Sequence, residues 1–389
     1  MDKIKELLTR GVENVYPTPA FLEKLLKSKK KLIIYAGYDP TGPTLHIGHG
    51  ITMLKLRQFQ QLGHKIIFLI GDFTGMIGDP TDKSSTRQQL TKEDVLKNCK
   101  EYKKQASAIL DFNGKNPVEI KYNSKWFSKM DFADVLQLSS RFTVQRMMER
   151  DMFQERIKAG KPIYVHEFMY PMMQAYDSVV MDVDGEVGGN DQTFNMLAGR
   201  DLMKIMKNKE KFVLTMKLLT DTTGKKMGKS EGNMVALFDS PEDMFGKVMS
   251  WPDEMIISGF ELCTIVPTEQ VESMKKEIKK NPRELKIKLA SEIVKLFLGE
   301  ASAKRGKAHF ESVIVKKDVP LDMPEYKLKG NKNIADVLVE SKLCSSKSDA
   351  RRAVEQGGVS LDNKKIKSFE EKATFGILKK GKRHFVKLI

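Results

Sequence analysis

The sequence is poor in cysteine and has no long apolar run. Its three cysteines, Cys99, Cys263 and Cys344, stand far apart in 389 residues. Their odd number and wide spacing argue against a disulfide framework and favour reduced thiols. No apolar stretch approaches the ~20 residues of a membrane span, and "MDKIKELLTR" at the start lacks the apolar core of a signal peptide. We therefore expect a cytoplasmic protein with no membrane partner.

The charge is not balanced. The net charge is +16, and the last 59 residues carry 14 lysines and arginines against 7 acidic residues. Such an excess favours a polyanionic partner, most often a nucleic acid, although a basic surface can also serve solubility alone.

Two short apolar runs indicate the fold class. "KLIIYAG" at 31–37 and "KIIFLIGD" at 65–72 predict buried strands, and an apolar helical pattern lies between them and ends at Gly63. Strand, helix and strand in this order predict an α/β, Rossmann-like parallel sheet. Ligands of such sheets bind beyond the carboxyl ends of the strands. The residues expected around this crevice are Tyr35, the loop to His49, and 72–87.

The chain is long enough for several domains. From its punctuation by proline and glycine we predict five segments. They are a Rossmann-like catalytic domain at 1–220 with an insertion around 118–190, a loop at 221–239, a helical domain at 240–317, a linker at 318–331, and a small α+β domain at 332–389. We also expect one continuous helix from Thr91 to 112.

The motif "HIGH" places His46 and His49 at the start of the predicted helix after the first strand. A zinc site would need further ligands, and the nearest cysteine is Cys99. Solvent-facing histidines are a second alternative. We favour an anion site, because free N–H groups and the helix dipole attract negative charge there. Gly48 would let a flat ligand approach the helix.

A second candidate anion site is "TGKKMGKS" at 223–230. A Walker A loop has four residues between its glycine and its Gly-Lys pair, and this stretch has only three. Lys226 and Lys229 remain, on a glycine-containing loop that could close on a charged leaving group. The alternative is a solvated basic turn.

A third feature is a polar stripe on an apolar helix at 167–181. Tyr170, Gln174 and Asp177 follow the spacing i, i+4, i+7 and share one face. The stripe either faces solvent or binds a ligand that carries a hydroxyl and an amine. "GGNDQ" at 188–192 adds close backbone approach and further polar side chains.

Together and in this order, the three features resemble the class I aminoacyl-tRNA synthetases. "HIGH" matches the first signature of that class, and "KMGKS" at 226–230 matches the second, with Gly228 in place of serine. Within the class, the sequence is similar to the bacterial-type tyrosyl-tRNA synthetases. The matching segments are "YAGYDPTGPTLHIGHG", "GMIGDPTDKSSTR", "EFMYPMMQAYDS" and "GGNDQ". The tail resembles an S-four-type RNA-binding domain.

The resemblance implies a role for each matching residue. The tyrosine side chain would meet Tyr35 and Asp177, its ammonium would meet Asp79, Tyr170 and Gln174, and Gln192 would lie near its carboxylate or the ribose. ATP would meet Gly37, Asp39, Thr41, His46, Gly48, His49 and Lys229. The catalytic set would be His46, His49, Lys83, Arg87, Lys226 and Lys229, the four cations reaching the pyrophosphate. Transfer RNA would meet Lys342, Lys347, Arg351 and Arg352. The departures from the family pattern are Ala36, Glu186 and Gly228.

The implied reaction is attack of the tyrosine carboxylate on the α-phosphate of ATP, followed by transfer of tyrosine to the 3' end of tyrosine tRNA. The first step needs positioning and charge stabilisation, which two neutral imidazole donors can supply. The resemblance further implies Mg²⁺ accompanying ATP, no structural metal in the protein, and a homodimer. A tryptophanyl-tRNA synthetase, a non-catalytic RNA-binding protein on the same fold and a nucleotidylyltransferase are the alternatives. A tryptophanyl-tRNA synthetase would not explain the Tyr35/Asp177 pair, and a non-catalytic protein would not explain the intact signatures. A nucleotidylyltransferase would explain neither the polar stripe nor the tail.

Overall fold

The structure is a computed structural model. It describes residues 2–79, 90–221, 234–315, 323–328, 330–362, 364–381 and 384–389. The chain divides into two compact units, Met1–Ala303 and Lys304–Ile389.

The first unit is built on a six-stranded sheet. Its strands are β1 (Val12–Tyr16), β2 (Ile33–Tyr38), β3 (Lys65–Ile70), β4 (Glu119–Tyr122), β5 (Gly185–Gly189) and β6 (Phe212–Met216). Their order in the sheet is β1-β6-β5-β2-β3-β4. Only β1 is antiparallel to its neighbour; the other pairs are parallel. The order reverses between β2 and β5, which is where doubly wound sheets bind their ligands. The predicted α/β, Rossmann-like class is confirmed.

Helices surround this sheet and continue beyond it. Those up to the end of the sheet are α1 (Lys3–Thr9), α2 (Pro19–Lys27), α3 (Ile47–Gln61), α4 (Thr74–Ile77), α5 (Lys92–Cys99), α6 (Tyr102–Ala106), α7 (Ser124–Phe127), α8 (Phe132–Ser139), α9 (Val144–Met148), α10 (Asp151–Lys158), α11 (Val165–Val180) and α12 (Thr193–Lys207). Those after it are α13 (Pro241–Met249), α14 (Met255–Cys263), α15 (Thr268–Glu277), α16 (Pro282–Leu298) and α17 (Glu300–His309), followed by a π-helical turn, Phe310–Val315.

The predicted strand–helix–strand unit is β2, α3 and β3. β2 and β3 pair in parallel from Ile33 opposite Lys65 to Tyr38 opposite Ile70. All but the first residue of β3 are buried, as expected for a strand covered on both faces. This arrangement brings the end of β2 and the start of α3 to one edge of the sheet.

The continuous helix expected from Thr91 to 112 is wrong. The structure has two short helices there, α5 and α6, separated at Lys100 and Glu101. The break lets the hydroxyl of Tyr102 donate to the carbonyl of Gly42 at 2.7 Å, and Gln105 bonds the chain at Leu45. Tertiary hydrogen bonds to the loop before "HIGH" thus outweigh local helix propensity.

The stretch predicted as an insertion, 118–190, begins with β4 and ends with β5, both strands of the sheet. Its helices α7 to α11 lie between them. The helix α11 packs against both α12 and α8. Leu138, Ala175 and Leu202 are buried together among these helices.

Beyond the end of α17 and the π-helical turn, the described residues of the second unit form two further helices and a five-stranded sheet. The helices are α18 (Ile334–Glu340) and α19 (Lys347–Glu355), and the strands are β7 (Glu325–Tyr326), β8 (Val359–Leu361), β9 (Lys364–Lys365), β10 (Gly376–Lys380) and β11 (His384–Leu388). The sheet order is β7-β11-β10-β8-β9, with β10 and β11 antiparallel. Ile334, Val337, Leu338 and Leu378 are fully buried at its core.

The predicted linker at 318–331 lies partly outside the described residues, so that boundary stays a prediction. Among the helices described, none is both long and apolar enough to cross a membrane.

Candidate active site

The two histidines of "HIGH" cap the helix α3 reciprocally. Nδ1 of His46 accepts a hydrogen bond from the backbone N–H of Gly48 at 3.1 Å, and Nδ1 of His49 accepts one from the N–H of His46 at 3.1 Å. The N–H of Ile47 donates to the carbonyl of Val235 at 3.0 Å. The expectation of free N–H groups at this helix start is therefore wrong, because the chain itself uses them.

This capping fixes the tautomer of both rings. A nitrogen that accepts from a backbone N–H holds a lone pair, so the proton of each neutral imidazole is on Nε2. The two rings lie with centroids 3.8 Å apart, and both are half-buried. The helix start thus presents two side-chain donors in place of backbone donors.

Gly48 is required by the position of His46. A Cβ atom at residue 48 would lie 2.9 Å from Cε1 of that imidazole. Any side chain there would push the ring away from the cap.

The chain after the second signature lies beside the first. Residues 45–47 pair with 235–237: the N–H of Leu237 donates to the carbonyl of Leu45 at 2.9 Å, and His46 bridges to Ala236. The predicted cations Lys83, Arg87, Lys226 and Lys229, together with Gly228, lie outside the described residues. Of the residues that follow Lys226 and Lys229 in the chain, Val235 and Ala236 are described, and they lie next to His46.

The polar stripe of α11 faces the carboxyl edge of the sheet. The hydroxyl of Tyr170 donates to Oδ2 of Asp39 at 2.7 Å, and Thr74 donates to Oδ1 of the same carboxylate at 2.8 Å. Because Tyr170 gives its proton to Asp39, its oxygen has lone pairs left to accept from a cation.

Asp177 is buried, with 2% of its surface exposed. It accepts from Nε1 of Trp126 at 2.9 Å and from Nδ2 of Asn123 at 3.3 Å. Burial raises the pKa of this carboxyl well above its usual range, and the two donors oppose that shift. Two carboxylate oxygens have room for a further donor.

Tyr35 does not hydrogen-bond to Asp177. Its hydroxyl lies 2.9 Å from Oγ of Ser178, and the side chain is fully buried. Nζ of Lys211 donates to the same Oγ at 2.9 Å and forms an ion pair with Glu186. The two proposed partners of a phenol thus lie on different elements and in different hydrogen-bond groups: Tyr35 on β2 bonds Ser178, which follows Asp177 on α11.

Gln192 and Asp79 meet at the other end of the crevice. Nε2 of Gln192 donates to Asp79 at 2.7 Å, and Nη2 of Arg150 lies 3.5 Å from the same carboxylate. Gln192 follows β5 directly, in a 3-10 turn at Asn190–Gln192.

Gly37 is the one exposed residue of the otherwise covered strand β2. A missing side chain there opens the backbone to a ligand. Ala36 beside it is buried. Thr41 is half-buried in the loop that follows, and its N–H donates to the carbonyl of Asp39 at 2.8 Å.

Comparison with known proteins identifies the family. The family described as tRNA synthetases class I (W and Y) matches residues 27–314, and the tyrosine–tRNA ligase SYY-like C-terminal domain matches 316–388. The tyrosine–tRNA ligase of Thermotoga maritima is 44% identical over 98% of this chain and 96% of its own length. The chain belongs to the class I tRNA synthetases. The resemblance predicted from its sequence is confirmed.

Other relatives of this synthetase agree. The tyrosine–tRNA ligase of Haemophilus ducreyi is also 44% identical, over 98% of this chain and 96% of its own. A C-terminally truncated mitochondrial tyrosyl-tRNA synthetase of Coccidioides posadasii shares 26% identity and a TM-score of 0.65, over 79% of this chain and 91% of that one. The Archaeoglobus fulgidus tyrosyl-tRNA synthetase, solved with L-tyrosine, has a TM-score of 0.61 at 23% identity over 79% of this chain and 99% of its own, a likeness of fold.

The four predicted tRNA contacts of the synthetase are exposed in the second unit. Lys347 forms an ion pair with Asp336 at 2.7 Å, and the guanidinium of Arg351 lies 4.2 Å from the ring centre of Phe369. Arg352 shares the exposed face of α19, and Lys342 precedes that helix with a positive φ of 62°.

Several residues of the site escaped the sequence analysis. They are Asn123, Trp126, Arg150, Ser178 and Lys211. Asn123 directly follows β4, so polar residues after each strand would have pointed to it. The partners of the others are distant in sequence, and no local pattern marks them.

We predict that Gly48→Ala slows adenylate formation about 100-fold by displacing His46, because loss of a charge-stabilising donor costs about 100- to 1,000-fold in rate. Tyrosine affinity should not change. The measurement is single-turnover kinetics with ATP and tyrosine.

A double-mutant cycle separates this cause from direct blocking of ATP. In a His46→Ala background no imidazole remains to be displaced, so Gly48→Ala should have little further effect. An undiminished effect in that background would show that the glycine serves ligand approach instead.

Proposed function

We propose that the chain ligates tyrosine to tRNA: it activates L-tyrosine with ATP to tyrosyl adenylate and pyrophosphate, then transfers tyrosine to the 3' end of tyrosine tRNA. Family membership and whole-length similarity to tyrosine–tRNA ligases support the assignment. The observation that carries it is the stripe of α11, whose polar groups meet carboxylates within the same crevice as the capped histidines.

The recognition of tyrosine uses three groups of side chains. Asp177, held by Asn123 and Trp126, accepts the substrate hydroxyl, with Tyr35 close by. Asp79, the hydroxyl oxygen of Tyr170 and the amide of Gln174 receive the ammonium. Gln192 lies beside the carboxylate that reacts. Buried groups that lose a partner when the hydroxyl is missing would exclude phenylalanine.

The stabilisation of ATP falls to the start of α3. The Nε2–H groups of His46 and His49 donate to phosphate oxygens as charge develops on them. Gly37, Asp39, Thr41 and Gly48 line the approach. Lys83, Arg87, Lys226 and Lys229 are proposed to meet the pyrophosphate from the adjacent loops.

Mg²⁺ is proposed to arrive with ATP. Within the part of the chain that the structure describes, no group of three or more histidine, cysteine, aspartate or glutamate side chains could hold a metal ion. We propose that the phosphates supply most of its ligands, as is usual for Mg²⁺ in nucleotide sites.

Homodimerisation is supported by an apolar surface on the helices around α11. Phe132 on α8 is 75% exposed, Val144 on α9 is 71% exposed and Val165 on α11 is 80% exposed. Leu136 and Ile205 on the neighbouring helices are also more than half exposed. Large apolar side chains with such exposure are candidates for an interaction surface, and we propose that a second copy covers them.

The three cysteines are free and buried. Reduced thiols suit the cytoplasm, where we propose that the protein works.

The domain assignment follows from these roles. We propose that 1–220 is the catalytic domain, 221–239 the signature loop, 240–317 a helical domain for the anticodon stem, 318–331 a linker and 332–389 the S-four-type RNA-binding domain. The match of a C-terminal domain to 316–388 supports the last of these.

We predict that ATP–pyrophosphate exchange depends on L-tyrosine and not on L-tryptophan. The physical reason is that the side chain of Asp177 can accept a hydrogen bond from a phenolic hydroxyl, which tryptophan lacks. The assay is exchange across all twenty amino acids with the full chain. Faster exchange with tryptophan would overturn the assignment.

We further predict that reversing two exposed charges of the tail separates the half-reactions. Lys342→Glu with Arg352→Glu should raise the KM for tRNA several-fold and flatten the salt dependence of binding, since each lost phosphate contact removes counterion release. Exchange should not change. A matched control is Lys3→Glu with Lys5→Glu, which alters the net charge equally on exposed α1. Equal effects of the two pairs would contradict a specific role for the tail.

A further inference from the structure

A buried ion pair lies behind the crevice. Lys211 is fully buried at the start of β6, and Glu186 on β5 is 2% exposed. Nζ of Lys211 donates to Oε2 of Glu186 and to Oγ of Ser178. Burial lowers the pKa of Lys211, and Glu186 opposes that shift. Two buried charges are costly unless each is paired and its remaining positions are hydrogen-bonded.

The second oxygen of Glu186 bonds the stripe of α11. Nε2 of Gln174 donates to Oε1 of Glu186 at 2.9 Å. A carboxylate only accepts hydrogen bonds, so the amide of Gln174 must turn its nitrogen toward Glu186. The carbonyl oxygen of the amide then points the other way. Gln174 is only half-buried, so this oxygen is available to a ligand in the crevice.

The ion pair therefore determines which atom of the Gln174 amide, the oxygen or the nitrogen, faces a ligand. An ammonium needs an acceptor, and an inverted amide would present N–H groups to it. Lys211 holds Oε2 of Glu186 and so fixes its carboxyl group, and the acceptor Oε1 keeps the amide of Gln174 in one orientation.

We propose that Glu186 and Lys211 are positioning residues for amino-acid recognition: together they orient Gln174 so that its carbonyl oxygen accepts from the ammonium of the substrate. The inference rests on the proposed function, because the ligand is tyrosine. It assigns a role to Glu186, where the sequence departs from the family pattern.

The test compares two neutral replacements of the pair. Glu186→Gln with Lys211→Met keeps an acceptor at residue 186, because the new amide can turn its oxygen to Gln174. Glu186→Met with Lys211→Met removes it. Affinities for L-tyrosine and for 3-(4-hydroxyphenyl)propionate, which lacks the ammonium, are measured by calorimetry after circular dichroism confirms folding.

We expect the variant with glutamine to bind tyrosine within about threefold of the unmodified chain. The variant with methionine should bind it about tenfold more weakly, the scale of one hydrogen bond to a charged group. Both should bind the propionate alike. Equal tyrosine affinity of the two variants, or equal losses for both ligands, would overturn the proposal, because a merely structural pair does not distinguish an ammonium.

A single substitution keeps the proposal testable if the double variants do not fold. Gln174→Met, at a half-buried position, should weaken tyrosine about tenfold and leave the propionate unaffected. Unchanged tyrosine affinity would overturn the proposal. An unmodified chain that binds neither ligand would instead overturn the proposed function.

Discussion

A buried carboxylate is costly unless its oxygens are hydrogen-bonded, and the crevice at the carboxyl edge of the sheet is arranged around that requirement. Asp39 accepts from Tyr170 and Thr74, while Asp177 accepts from Trp126 and Asn123. Each of these bonds joins residues from different elements. The carboxylates therefore fix α11 over the ends of the strands and, at the same time, leave acceptor positions, which we propose for the hydroxyl and the ammonium of tyrosine.

The chemistry and the recognition meet at β2. Its carboxyl end supplies Asp39, which holds Tyr170. The loop that follows leads within a few residues to His46 and the cap of α3. The sheet order reverses beside the same strand, so the residues after β5 reach the crevice from the other side. In the proposed function, this strand and two hydrogen-bonded helix faces would position the amino acid and the phosphates in one site without a protein nucleophile.

The sequence predicted those parts of the fold and the site that have a local cause. The spacing of apolar residues and the positions of glycine and proline indicated β2, α3 and β3. The spacing of Tyr170, Gln174 and Asp177 placed them on one face of a helix. The break between α5 and α6 has no local signal, because hydrogen bonds of Tyr102 and Gln105 to a distant loop cause it. The role of Lys211 could likewise not be predicted from local sequence, because its partner, Glu186, is 25 positions away. The hydrogen bonds from backbone N–H groups to His46 and His49 depend on the orientation of the two rings, which the spacing of residues in the sequence does not reveal.

In the proposed function, the buried carboxyl group of Asp177 selects tyrosine by its hydroxyl. This selection is measured most directly by the ratio of kcat/KM for L-tyrosine over L-phenylalanine in pyrophosphate exchange, for the unmodified chain and for Asp177→Asn. The substitution retains the size of the side chain and halves its acceptors. The ratio should fall at least tenfold, through loss of activity with tyrosine, because a buried hydroxyl that loses its acceptor keeps its desolvation penalty. An unchanged ratio would show that Asp177 does not select the substrate.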